Sequence, residues 1–91
     1  MKARAGKEKA VADFLASALA MVSDEPRTAA WYALDMGGGH FAIFDVFPDT
    51  AARDAHLAGP VAAALLARAG EFFEQGPEIR RAQVLAAKTW V

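Results

Sequence analysis

The sequence predicts one α+β domain in which a strand, a helix, two strands, a divided helix and a last strand follow in order. Three observations lead there. The chain has 91 residues, enough for one hydrophobic core and too few for two. Two runs of bulky and aromatic residues flank Gly37-Gly38-Gly39, the composition of a tight hairpin. On either side of that hairpin, apolar residues recur with a helical period.

Met1 to Ala5 reads as a short strand ending at Gly6. From Lys7, the residues Val11, Phe14, Leu15, Ala18 and Val22 fall at i, i+3, i+4, i+7 and i+11, one stripe of a helix. Ser23-Asp24-Glu25-Pro26 stops it. Thr28 to Met36 forms the first hairpin strand and His40 to Phe47 the second, with the glycines supplying positive φ angles between them. Pro48 ends the returning strand, and Asp49 or Thr50 caps a helix that closes at Gly59. Pro60 opens another helix, with Val61, Leu65, Ala69 and Phe72 on one stripe, Leu66 and Phe73 beside it, and Gly76-Pro77 at its end. Glu78 to Val91 reads as a long final strand whose end reaches a partner. This βαββαβ order is the ferredoxin-like arrangement, a four-stranded antiparallel sheet with helices on one face. A single domain spanning 1–91 is expected.

Composition narrows the function. Hydrophobic residues make up 55% of the chain, above the ~45–50% of an ordinary domain. Both hairpin strands are apolar at nearly every position, where a strand with one wet face would alternate. Helices of the same chain can shelter one face; the other calls for a second sheet, and so a homodimer. The net charge is −1, and Lys2, Arg4, Lys7 and Lys9 are interleaved with Glu8 and Asp13. No basic stripe is available to neutralise phosphates, so nucleic acid is not an expected ligand. Absence of cysteine removes disulfides, thiol nucleophiles and thiolate metal sites. The first residues lack the apolar core of a signal peptide, and no run approaches the ~20 apolar residues of a membrane span. A cytoplasmic protein without membrane contact is the expectation. No metal site is expected either: His40 and His56 are the only histidines, and Asp45, Asp49 and Asp54 lack a ligand spacing. Gly37-Gly38-Gly39 joins two strands and precedes no lysine–serine or lysine–threonine pair, so it is not a phosphate loop.

Several segments, in order, resemble the small cofactor-free monooxygenases of antibiotic biosynthesis and their quinol-monooxygenase relatives. They are Ala5-Gly6-Lys7-Glu8, Asp24-Glu25-Pro26, Trp31-Tyr32-Ala33-Leu34, Phe44-Asp45-Val46-Phe47-Pro48-Asp49 and Ala55-His56-Leu57-Ala58-Gly59-Pro60. The resemblance covers nearly the whole chain. It implies a homodimer whose sheets pack face to face as a dimeric α/β barrel, with a pocket in each subunit between sheet and helices. It also implies oxidation of a small aromatic quinol or polycyclic phenol by molecular oxygen, with no metal, flavin or other cofactor. One departure stands out. Some of these oxygenases, and the haem-degrading relatives, use an asparagine, and this chain contains none. Haem cleavage by that constellation is therefore not expected.

The residues themselves suggest roles. His56 is the first choice as base, because an imidazole with pKa near 6.5 suits removal of a phenolic proton; the bland alternative is a histidine tying its helix to a strand. Trp31 and Tyr32 point to opposite faces of their strand, one toward helices and pocket, the other toward the partner sheet. Facing the pocket, the Tyr32 hydroxyl would donate to a developing oxyanion. Trp31, Phe44, Phe47 and Phe72 are candidate walls for a planar ring, against the plainer reading of core packing. Arg53 suits an anionic ligand or a solvated helix face, and His40 an exposed turn. Two other functions remain open: a non-catalytic dimer that binds a small hydrophobic metabolite, and an isomerase or lyase of small carbonyl compounds.

Overall fold

The computed structural model describes residues 1–89. Along the chain run β1 (Lys2–Ala3), α1 (Glu8–Ser17), α2 (Leu19–Ser23), β2 (Ala30–Gly37), β3 (His40–Val46), α3 (Thr50–Leu57), α4 (Pro60–Phe72) and β4 (Phe73–Gln75). The strands form one sheet in the order β2-β3-β1-β4, with every neighbouring pair antiparallel. This α+β architecture is compatible with a ferredoxin-like fold.

Local chemistry accounts for the boundaries. The helix expected to run unbroken from Lys7 is divided at Ala18. There the Ser17 hydroxyl donates to the Phe14 carbonyl at 2.7 Å, a local bond that competes with the helical ladder. The hairpin turns through Gly37, Gly38 and Gly39 at φ 80°, 61° and 81°, three consecutive left-handed positions that only glycine occupies cheaply. Asp49 caps α3: its Oδ1 accepts from the Ala52 N–H at 2.8 Å.

The strand period sorts the hairpin into two faces. Trp31, Phe41, Ile43 and Asp45 turn toward the helices. Phe41 joins Ala3, Val11, Leu15, Leu65, Phe72 and Phe73 in the main core, and Trp31 packs on a second cluster of Ala18, Val22 and Val61. The alternate positions, Tyr32, Leu34 and Phe44, lie on the other face at 48%, 42% and 55% exposure.

The C-terminal expectations need correction. Helix α4 stops at Phe72, short of Gly76-Pro77, and Phe73 begins a strand instead of continuing the helix. The long final strand from Glu78 is not formed: residues 78–89 are exposed and without regular secondary structure, while Trp90 and Val91 lie outside the described residues. A strand persists only beside a partner. β1 offers β4 just Lys2 and Ala3, paired with Gln75 and Phe73, so pairing runs out there. β1 is likewise shorter than the expected Met1 to Ala5. Among the described residues, no helix is long and apolar enough to cross a membrane.

Candidate functional site

His56 sits one helical turn after Ala52, and both face inward from α3. It is 6% exposed, the one polar side chain among the buried residues described. Two carboxylates bracket it. Its Nδ1 lies 2.5 Å from Glu25 Oε1, contributed by the loop that Pro26 forces after α2, and its Nε2 lies 3.2 Å from Asp45 Oδ2 on β3. The Thr28 hydroxyl donates to the same Glu25 oxygen at 2.8 Å, while Glu25 Oε2 is buried without a partner. The Phe47 ring covers the cluster, its centroid 5.2 Å from the imidazole.

An imidazolium donates from both nitrogens and satisfies both acids; a neutral ring has one N–H and leaves one contact without a proton. Burial raises the Asp45 carboxyl above its ordinary range; His56 draws it back down, and the Glu25 charge adds to the rise. Asp45 is therefore a carboxylate with increased proton affinity. It lines a cavity of about 300 Å³ that also includes His56, Ile43, Leu65 and Ile79. A larger cavity of about 840 Å³ lies between the end of β3 and residues 80–86, with Phe44, Phe47 and Arg53 on its walls.

Of the residues expected at a site, the fold brings Phe47 to His56 and sends the others elsewhere. Tyr32 lies on the open face, its ring stacked on Phe44 at 6.4 Å, so within one chain the sheet separates it from the imidazole. Phe44 borders the larger cavity from that side. Trp31 faces the helices, packs against the second cluster and keeps its Nε1 buried without a partner. Phe72 is core, 2% exposed and 5.4 Å from the Phe14 ring. Glu25 and Asp45 are given no site role by the sequence. Asp45 carried a usable signal, a lone acid on the helix-facing parity of an apolar strand. Glu25 carried none, since a helix-stopping segment explains it equally well. Among the described residues, no group of three or more histidine, aspartate or glutamate side chains is arranged to hold a metal ion.

No family model matches the chain, and no curated protein matches it. Among solved structures, the crystal structure of the NE2512 protein of unknown function from Nitrosomonas europaea superposes with a TM-score of 0.93. The two are 47% identical, and the match covers 98% of this chain and 86% of that one. At such identity and coverage, the chain belongs to the same family as the NE2512 protein.

Proposed function

We propose that the protein is a cofactor-independent monooxygenase acting on a small aromatic quinol or polycyclic phenol, with Asp45 as the base and His56 and Glu25 behind it. The observation carrying this reading is the buried imidazole held between two acids at the wall of an apolar cavity. The base shifts from His56 to Asp45 because both ring nitrogens are already engaged, whereas Asp45 has raised proton affinity and reaches the cavity. The resemblance of the chain to cofactor-free monooxygenases supplies the reaction class.

For an anthrone-type substrate, oxygen alone closes the balance. A ring CH₂ gives its proton to Asp45, and the carbanion transfers electron density to O₂ as a C–O bond forms. The peroxide takes the proton back, and loss of water leaves a carbonyl. One oxygen atom enters the ring and the other departs as water. The imidazole between Asp45 and Glu25 stabilises the negative charge before proton transfer and keeps the acid oriented.

The exposed Tyr32, Leu34 and Phe44 support a homodimer in which the open face is covered by the same face of a second copy, as in a dimeric α/β barrel. The test is oxygen uptake with anthrone and with substituted hydroquinones. Wild type should consume oxygen, and Asp45→Asn should lose at least ~99% of the rate, typical of removing a general base. Equal uptake by both proteins would remove the site from the chemistry. One observation favours a second reading, binding without turnover: both ring nitrogens of His56 already face carboxylate oxygens of this chain. Saturable binding of the same compounds without oxygen uptake would select it, and turnover under anaerobic conditions would point to an isomerase or lyase.

A further inference from the structure

Arg53 holds an unanswered donor at the wall of the larger cavity. It lies on α3, three residues ahead of His56. Its Nε is buried and, among the described residues, has no hydrogen-bond partner. The Asp54 carboxylate stands 3.9 Å from it, beyond hydrogen-bond reach. A buried N–H of this kind is costly unless something accepts from it. The other walls agree with an anion as that acceptor. Two acids border the cavity, and both are engaged. Asp49 accepts from Arg27 at 2.8 and 3.0 Å and from the Ala52 N–H, and Asp45 Oδ2 faces His56 Nε2. Three arginines border it as well: Arg53, Arg80, which Glu78 holds at 3.0 Å, and the exposed Arg81. Ile43, Val46 and Phe47 supply apolar wall. The volume of about 840 Å³ falls within the ~300–1,000 Å³ of small-molecule sites.

We propose that this cavity binds an aromatic carboxylate, its carboxylate accepting from Arg53 Nε and its ring against Phe47 and Ile43. A carboxylate oxygen is the acceptor that Nε lacks, and with both partners charged the bond is of the stronger, charge-assisted kind. The exposed Arg81 adds charge that draws an anion toward the opening. A flat ring suits the Phe47 side, since aromatic rings pack favourably on one another. A bare inorganic anion would leave the apolar walls wet, and a neutral ring would leave Nε unpaired; an aromatic carboxylate does neither. Ile43, Asp45 and Arg80 line the smaller cavity too, so a ligand held here lies beside the Asp45–His56 pair. The inference concerns binding at Arg53 and does not depend on the proposed oxygen chemistry.

The test uses 2-naphthoate and 2-naphthamide, which share a shape and differ in charge, titrated into the protein at pH 7. Calorimetry gives the affinity and NMR amide shifts give the place. The acid should bind saturably and roughly tenfold or more tightly than the amide, with shifts centred on Phe47, Arg53 and residues 80–82. Arg53→Gln should bring the acid down to the affinity of the amide and leave the amide unchanged. Inorganic phosphate, an anion without a ring, should bind roughly tenfold or more weakly than 2-naphthoate. Equal affinity for acid and amide in the wild type overturns the proposal, whatever the fate of the variant. So does an acid affinity that Arg53→Gln does not alter, phosphate binding as tight as that of 2-naphthoate, or shifts confined to Leu57, Val61 and Leu65 around the smaller cavity. Oxygen uptake plays no part in these readings, so loss of the proposed chemistry and loss of this site are told apart.

Discussion

The two faces of one sheet meet opposite fates in this protein. On the helix-covered face, residues taken at every second position are buried and joined to partners: Phe41 in the core, Trp31 on α2 and α4, Asp45 on His56. On the other face, equally apolar neighbours from the same strands stay open, and Tyr32 and Phe44 stack on each other. Hydrophobicity alone therefore does not tell which residues stabilise the subunit. Position parity does, because parity decides which residues meet a helix.

The largest effect that sharpens the contrast belongs to the covered face. Phe72 is 2% exposed amid Phe14, Phe73 and Val11, so Phe72→Ala should lower unfolding free energy by about 3–5 kcal/mol. Urea titration measures it. A loss under about 1 kcal/mol would mean the main core is not where the packing places it.

Next comes the polar part of the same face. His56→Ala leaves Glu25 and Asp45 facing each other without the group that separates them, which should cost about 2–3 kcal/mol. His40→Ala, at the exposed turn, should stay within about 0.5 kcal/mol. Equal effects from the two histidines would show that the bracketed geometry contributes nothing to stability.

Two aspartates then give opposite pH responses. Asp45 is raised above its ordinary 3.8, chiefly by burial, so the folded chain binds a proton there that the unfolded chain has already released. Its contribution is present below 3.8 and is lost as pH rises through the folded value. Asp49 is lowered below 3.8, first by the Ala52 N–H and also by Arg27. Its contribution is present above 3.8 and is lost as pH falls through the folded value. Melting temperatures followed from pH 2 to 7 should therefore change slope in opposite senses in Asp45→Asn and Asp49→Asn. A shared direction would contradict the assignment of both environments.

Much of this was legible from residue order. The hairpin around three glycines, the Asp49 cap and the Pro60 start all appear as the sequence suggests, because each is decided by local backbone chemistry. The final strand was not legible in the same way. Its residues are suitable, but pairing depends on how much of β1 stands beside it, a nonlocal quantity. The candidate site divides similarly. His56 follows from helix position, whereas Glu25 reaches it across 31 positions of chain, and no spacing rule announces such a meeting.

The smallest effect on subunit stability carries the sharpest test of the open face. Tyr32→Ser and Phe44→Ser together remove two rings that are 48% and 55% exposed and rest on each other. About half of each ring is already exposed within the subunit, and a cross-strand aromatic pair contributes roughly 0.2–1 kcal/mol, so unfolding of the isolated chain should change by about 1 kcal/mol. Association is the property that should fail. If a second copy covers these rings, sedimentation at micromolar concentration should move from dimer in the wild type to monomer in the double variant. The helix-covered face, with the His56 cluster on it, should remain intact. A wild type that already sediments as a monomer would leave the open face without its proposed occupant. Its apolar character would then need a cause other than self-association.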